Sequence, residues 1–162
     1  MTALVQRLTL PDAAATDALG AALSRAFGPT PYGVVTLDGG LGAGKTQLVR
    51  AWLRALGVEG PIRSPTYTLV EPYEIGAARV LHMDLYRLQS PEEWEGLGLE
   101  DQPPDRSLWL VEWPGRAEGY GPSPRLQLRF ETEGRGRRLH LLWSDPRDLA
   151  ARIISDDLKN VR

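Results

Sequence analysis

Eight consecutive residues have the types and spacing of a phosphate-binding loop. They fit the pattern G-x-x-x-x-G-K-[ST] and are Gly39, Gly40, Leu41, Gly42, Ala43, Gly44, Lys45 and Thr46. Glycines allow consecutive backbone N–H groups to turn toward phosphate oxygens, and a helix that follows adds its unpaired N-terminal N–H groups. In such loops the lysine reaches the β- and γ-phosphates, and the next hydroxyl can bind Mg²⁺. The motif therefore predicts a nucleotide site at these residues.

The absence of one motif restricts which base the bound nucleotide carries. GTP-specific proteins with this loop bind guanine through an N-K-x-D motif. The only asparagine among the 162 residues is Asn160, which is followed by only two residues. We therefore expect ATP, by elimination.

Two acidic residues end apolar segments farther along the chain. Asp84 ends the segment 79–84, and Glu112 ends the segment 108–112. In an α/β sheet, ligands bind beyond the carboxyl ends of the parallel strands, so both carboxylates can point at the phosphates. One would hold Mg²⁺ or its waters, and the other would orient the attacking water. The sequence leaves open which acid does which, and a solvated acid at a strand end is the alternative for each.

A short segment with two hydroxyl side chains lies between the loop and the next predicted strand. Ser64, Pro65 and Thr66 form it, and its small hydroxyls could sense a γ-phosphate as switch loops do. A plain turn is the alternative, and the residues alone favour it.

The elements that must position these residues follow from the hydrophobic pattern. Strands are predicted at residues 5–10, 33–38, 67–73, 79–84, 108–112, 125–131 and 137–143, the last two forming a hairpin around 134–136. Four helices are predicted. The first runs from Asp12 to Gly28, and the second follows the loop and ends at Gly57. The third follows a Ser90–Glu93 capping box, and the fourth begins at residues 145–148. This order predicts an α/β, P-loop NTPase-like three-layer fold, with helices on both sides of a mixed sheet that has a parallel core and a C-terminal antiparallel hairpin. We expect a single domain, 1–162.

Composition excludes several classes of protein. Nineteen basic and 21 acidic residues give a net charge of −2, which excludes a generic polyanion binder with a wholly basic surface. Cysteine is absent, so disulfides and thiolate metal sites are impossible. No apolar run is long enough to span a membrane, and residues 1–10 lack a signal-peptide pattern, so we expect a cytoplasmic protein without a membrane partner.

Five segments together resemble one protein family. They are the loop 39–46, residues 64–70, 82–88 and 97–101, and residues 111–114. In their order and separation they are similar to the bacterial TsaE (YjeE) family, the P-loop ATPase of tRNA threonylcarbamoyladenosine biosynthesis. The resemblance extends from about Thr16 to the C-terminal hairpin.

The resemblance implies an activity and roles for particular residues. It implies Mg²⁺-dependent ATP binding, slow hydrolysis without partners, and action with TsaB and TsaD, with tRNA contacted indirectly or weakly and no DNA expected. Lys45 and Thr46 would bind phosphate and Mg²⁺, Glu112 would be the acid on the metal side, and Asp84 would position water or metal. Residues 64–66 would be the switch loop, with Thr66 at the nucleotide, and Trp113 would support the site or a partner. The chain departs from the family at Gly40, where an acidic or amide side chain is usual.

Two other functions are compatible with the same motif. A small P-loop kinase would transfer phosphate to a metabolite, although its usual arginine-bearing helical lid has no match in the second half of the chain. A binding module would use the nucleotide only to order an interface. The hairpin arginines Arg135, Arg137 and Arg138 could touch RNA phosphates or a partner, but we expect them to be solvated.

Overall fold

A computed structural model describes residues 4–159 of the chain. Its strands are β1 (Leu4–Leu10), β2 (Gly33–Asp38), β3 (Val70–Ile75), β4 (Ala78–Asp84), β5 (Leu108–Glu112), β6 (Leu126–Glu133) and β7 (Gly136–Trp143). Its α-helices are α1 (Ala13–Phe27), α2 (Lys45–Leu56) and α3 (Leu149–Lys159), and 3₁₀ helices cover Pro91–Leu97 and Pro114–Ala117. The elimination of GTP depends on Asn160, which lies outside the described residues. Residues 1–3, the first part of the segment 1–10 that was compared with a signal peptide, also lie outside them. Among residues 4–159, no helix is both long and apolar enough to cross a membrane.

All seven strands form one mixed sheet, in the order β1-β7-β6-β2-β5-β4-β3. The four central strands, β6, β2, β5 and β4, run parallel to one another, and the outer pairs are antiparallel. The predicted α/β class, the parallel core and the C-terminal hairpin are therefore confirmed. Because β2, β4 and β5 are parallel, the residues that follow or end them meet at one edge of the sheet.

The two faces of the sheet are covered differently. All three α-helices contribute to one apolar core, in which Leu23, Trp52 and Ile154 are fully or almost fully buried. The opposite core packs under the 3₁₀ helices and the connections near them, with Leu85 and Ala117 among its members. One outer layer of the predicted three thus consists of 3₁₀ turns rather than α-helices, because prolines and glycines recur between residues 91 and 104.

Strand β3 begins three residues later than the sequence predicts. The aromatic and β-branched residues from Tyr67 onward favour a strand. Instead, the N–H of Leu69 donates to the carbonyl of Pro65 at 2.9 Å, and Leu69 adopts a left-handed conformation with φ of 65°. This local turn satisfies the backbone before the strand starts.

The Ser90–Glu93 capping box is a wrong prediction. Ser90 precedes the helix and Pro91 is at its start as expected, but the Ser90 side chain caps nothing and the helix is 3₁₀. The N–H of Glu93 instead donates to the backbone carbonyl of Ser90 at 3.2 Å. This tighter backbone bond takes the N–H that the serine hydroxyl would have accepted in a capping box.

Helix α3 begins at Leu149, just after the segment in which the sequence places its start. Asp148 caps it, accepting a hydrogen bond from the N–H of Ala150 at 2.9 Å. The same carboxylate receives two hydrogen bonds from Arg125, at 2.7 and 2.9 Å. Arg125, the residue before β6, also lies over the rings of Phe27 and Tyr32, so it joins the start of β6 to both α1 and α3.

Candidate functional site

The predicted phosphate-binding loop connects the end of β2 to the start of α2. At Gly39 the backbone passes so close to Phe130 of β6 that a Cβ would lie 2.9 Å from the Phe130 Cβ. Gly44 precedes the helix with φ of 105°, a conformation that favours glycine, and no side chain caps the helix there. The first N–H groups of α2 are therefore free of a side-chain acceptor and sit at the positive end of the helix dipole.

Lys45 is almost entirely buried beside this loop. Its Nζ donates to the carbonyls of Gly39 and Gly40, each at 2.7 Å, and lies 4.3 Å from the centre of the Trp113 ring. Burial lowers the pKa of Lys45, while the negative charge of Glu112 and, to smaller degrees, of Asp38 and Asp84 acts to raise it. The ammonium is thus held in a pocket whose carboxylates favour its charged form.

A chain of hydrogen bonds links the loop helix to two central strands. The hydroxyl of Thr46 donates to Oε1 of Glu112 at 2.7 Å. The other oxygen of Glu112, Oε2, lies 2.5 Å from Nε2 of His82. When Glu112 is ionised it can only accept, and Nε2–H of His82 is then the donor of this bond. His82 is fully buried and Glu112 is 2% exposed, so the orientation of the carboxylate is fixed from both sides.

Asp84 stands next to Glu112, because β4 and β5 pair these two residues directly. Its Oδ1 accepts a hydrogen bond from the N–H of Tyr86 at 3.1 Å. Burial raises the pKa of Asp84 and the negative charge of Glu112 adds to the rise, against the opposing effect of the Tyr86 hydrogen bond. A carboxylate with a raised pKa is a better proton acceptor than an ordinary aspartate.

A cavity of about 470 Å³ collects most of the residues that the sequence predicts for the site. Its lining comprises Leu41, Gly42, Ala43, Gly44, Lys45, Thr46, Gln47, Thr66, Asp84, Tyr86, Arg87, Glu112 and Trp113. Gly39 and Gly40 do not line it and instead supply the two carbonyls that Lys45 contacts. Thr66 lines the same cavity as Lys45. The structure thus brings together residues from four separate segments of the chain.

The oxygen donors around this cavity fit Mg²⁺ better than a metal that needs a full protein cage. Among residues 4–159, no three His, Cys, Asp or Glu side chains form a metal cluster. Mg²⁺ keeps several waters and is usually bound by one or two carboxylates together with substrate phosphates. The Thr46 hydroxyl and the Glu112 carboxylate, with Asp84 beside them, provide that kind of donor set.

The glycine at position 40, where the TsaE (YjeE) pattern usually has an acidic or amide residue, is not required by the fold. A Cβ at this position would have no heavy atom within 4 Å, and the backbone does not have a positive φ. An acidic or amide side chain would therefore fit there, and nothing in the fold requires a glycine.

Sequence reasoning missed two polar contacts of the site. His82 is fully buried, and its bond to Glu112 does not follow from the sequence analysis. The alternation of side chains along β4 places His82 on the same face as Asp84, which is the signal that could have indicated it. Arg137 is not solvated as expected: it donates to the carbonyls of Gly42 and Ala43 in the loop. No sequence pattern brings a residue of the hairpin to this loop.

A parallel-core sheet whose central strand runs through a G-x-x-x-x-G-K-[ST] loop into a helix defines a P-loop NTPase-like protein. Comparison with known proteins agrees with this class. The structure superimposes on the crystal structure of YdiB from Bacillus subtilis with a TM-score of 0.77 and 27% sequence identity, covering 97% of this chain and 99% of that one.

Sequence comparisons identify the family. The sequence profile of the threonylcarbamoyl adenosine biosynthesis protein TsaE matches residues 10–139. The chain is 40% identical over 109 residues to the tRNA threonylcarbamoyladenosine biosynthesis protein TsaE of Haemophilus influenzae, covering 67% of this chain and 69% of the relative. It is 42% identical over 140 residues to the TsaE protein of a Nostoc species, covering 82% of each. The chain belongs to the TsaE family of tRNA threonylcarbamoyladenosine biosynthesis.

Proposed function

We propose that this protein is the Mg²⁺-dependent ATPase of tRNA threonylcarbamoyladenosine biosynthesis. The observation that carries the proposal is the hydrogen bond between Thr46 and Glu112 beside the buried Lys45. It joins a phosphate-binding helix to a carboxylate at the carboxyl end of a neighbouring parallel strand, which is the arrangement that ATP hydrolysis with Mg²⁺ requires.

Different residues of the cavity would bind the phosphates, hold the metal and activate the water. The N–H groups at the start of α2 and the ammonium of Lys45 would bind the β- and γ-phosphates. Thr46 and Glu112 would hold Mg²⁺, which neutralises charge that develops on the phosphate oxygens. Asp84, whose pKa is raised by burial, would orient the attacking water and accept its proton. Thr66 would contact the γ-phosphate from the switch loop.

The proposed reaction serves a larger assembly. We propose TsaB and TsaD as the protein partners, with tRNA contacted indirectly or weakly, because the five motif segments resemble a family that acts with them. ATP hydrolysis would then drive a conformational or reset step, not the transfer of the threonylcarbamoyl group. We propose the cytoplasm as the compartment because tRNA and ATP are both present there.

Two measurements test this proposal. The first is release of free phosphate from ATP with and without Mg²⁺, by the protein alone and with TsaB, TsaD and tRNA. Phosphate that appears on a metabolite instead would favour a kinase, and tight ATP binding without turnover even in the full mixture would favour a binding module. The second is co-purification with TsaB and TsaD in ATP, in ADP and without nucleotide. No association in any of the three conditions would contradict the assignment of partners, and association that does not depend on nucleotide would contradict a step driven by ATP.

A further inference from the structure

Arg137 binds the backbone of the phosphate-binding loop without lining the cavity. Its Nε donates to the carbonyl of Ala43 at 2.9 Å, and its Nη2 donates to the carbonyl of Gly42 at 2.7 Å. Two adjacent carbonyls are thus held by one planar guanidinium fork. A lysine ammonium lacks this fixed pair of parallel donors and cannot reproduce the contact.

The grip sets the direction of the backbone N–H groups in the loop. A trans peptide is planar, so its C=O and its N–H point in opposite directions. Since Arg137 holds the carbonyl of Ala43, the N–H of Gly44 points away from Arg137. Among residues 4–159, no carbonyl or side chain accepts that N–H. The N–H of Ala43, opposite the other gripped carbonyl, donates to Gly40 at 3.2 Å and closes the turn.

The guanidinium of Arg137 donates to backbone carbonyls rather than to a carboxylate. Its third donor, Nη1, bonds the backbone carbonyl of Gly136 at 3.0 Å. Within the described part of the chain Arg137 forms no ion pair, whereas its neighbour Arg138 pairs with Glu133 and Arg125 pairs with Asp148. A positive charge that pairs with no carboxylate among residues 4–159 therefore lies against the loop, where it favours an anion nearby.

The position of Arg137 makes this contact rigid. It is the second residue of β7, and it is paired with Leu10 of β1 on one side and Thr132 of β6 on the other. The same hairpin contributes Phe130, against which Gly39 packs. The β6–β7 hairpin therefore contacts the loop at two points, through Arg137 and through Phe130.

We propose that Arg137 is a positioning residue for nucleotide phosphate: it fixes the loop so that the Gly44 N–H faces the phosphates and adds positive charge near them. This inference rests on the proposed function, because it assumes that the loop binds a nucleoside diphosphate or triphosphate.

The test compares ADP affinity in wild type, Arg137→Ala, Arg137→Lys and the control Arg138→Ala by calorimetry. The control removes the adjacent guanidinium of the same strand, whose side-chain hydrogen bond among residues 4–159 is to the exposed Glu133. We expect Arg137→Ala to weaken ADP binding by about 10- to 100-fold, as for loss of paired charge-assisted bonds, and Arg138→Ala to change it less than about twofold. Arg137→Lys keeps the charge without the fork, so most of the loss should persist.

Chemical rescue separates positioning from a general effect on folding. Added guanidinium at millimolar concentration should restore part of the ADP affinity of Arg137→Ala, and methylammonium should not. Melting temperatures without nucleotide should be similar for Arg137→Ala and Arg138→Ala.

Three outcomes would overturn the inference and leave the proposed function intact. The first two are wild-type ADP affinity in Arg137→Ala and wild-type ADP affinity in Arg137→Lys. The third is a much lower melting temperature in both Arg137 variants, with no recovery of ADP affinity when guanidinium is added. Failure of the wild-type protein to bind ADP would instead contradict the proposed function.

Discussion

Thr46 and Glu112 are 66 positions apart in the sequence, yet the threonine hydroxyl lies 2.7 Å from the glutamate carboxylate. The bond crosses from the first turn of α2 to the last residue of β5. It exists because β2, which leads into the loop, is the direct parallel neighbour of β5. The sheet order therefore decides which acid faces the loop, and Glu112 rather than Asp84 contacts the predicted metal-binding threonine.

Replacing Lys45 tests its proposed contact with the nucleotide phosphates. Lys45→Ala removes a buried ammonium that lines the cavity, so we expect ADP and ATP affinity to fall about 10- to 100-fold, as for loss of a charged hydrogen-bond donor. Calorimetric titration measures the affinity. Lys159→Ala is a matched control, since Lys159 is the chain's other lysine and is exposed on α3. Equal affinity in the two variants would remove Lys45 from the binding site.

Glu112 should matter more for turnover than for binding. Glu112→Gln keeps the shape of the side chain but removes the charge that would hold Mg²⁺. We expect ATP hydrolysis to fall about 100-fold or more, while nucleotide affinity changes only a few-fold. Phosphate release under saturating ATP gives the rate, and Glu131→Gln, an exposed position on β6, is the control. Unchanged hydrolysis would show that Glu112 does not serve the reaction.

His82 should act through Glu112. His82→Leu leaves the buried Glu112 carboxylate with one hydrogen-bond partner fewer, which costs about 1–3 kcal/mol of folding free energy. We expect slower ATP hydrolysis with nearly unchanged ADP affinity, because His82 does not line the cavity. The chain's second histidine, His140, offers the matched control His140→Leu. The proposed role is wrong if the double variant His82→Leu/Glu112→Gln hydrolyses ATP much more slowly than Glu112→Gln alone.

The sequence was a good guide to the fold wherever hydrophobic pattern and turn residues agreed. The strands around the loop, the parallel core and the hairpin with its turn at Gly134 follow directly from such patterns. The pattern failed at Tyr67 and at Ser90, where a single backbone hydrogen bond within a turn outweighed strand propensity and side-chain capping. Bonds of that kind depend on local geometry that residue types do not specify.

The site was predictable in its residue types but not in its contacts. The loop motif and the acids at strand ends identify Lys45, Thr46, Asp84 and Glu112, because each follows from a local pattern. The order of the strands in the sheet determines which acid contacts Thr46. Arg137 meets the loop because β7 lies between β1 and β6, and that pairing is likewise a property of the whole sheet.

Removing the charge of Asp148 should lower stability in a way that depends on pH. Burial of Asp148 opposes ionisation, but the two hydrogen bonds and the charge of Arg125 outweigh it, so its pKa lies below the ordinary value of 3.8. Asp148→Asn retains an oxygen to cap α3 and should lower the free energy of unfolding by about 2 kcal/mol at pH 7, as for a hydrogen bond to a charged group.

The sign of the pH effect follows from linkage. A lowered folded-state pKa stabilises the protein above pH 3.8, and this stabilisation is lost as the pH falls through the folded-state pKa. Urea unfolding from pH 7 to pH 3 should therefore show the difference between wild type and Asp148→Asn shrinking below pH 3.8. Asp105→Asn, at a strongly exposed aspartate, is the control and should have little effect. A difference that stays constant with pH would contradict the ion-pair explanation.

A crystal structure of the protein with Mg²⁺ and ADP tests the central claim most directly. The account predicts the β-phosphate within hydrogen-bonding distance of the N–H groups at Gly44 and Lys45, with Mg²⁺ beside the Thr46 hydroxyl. ADP bound at another surface, with residues 39–46 making no contact to its phosphates, would contradict it.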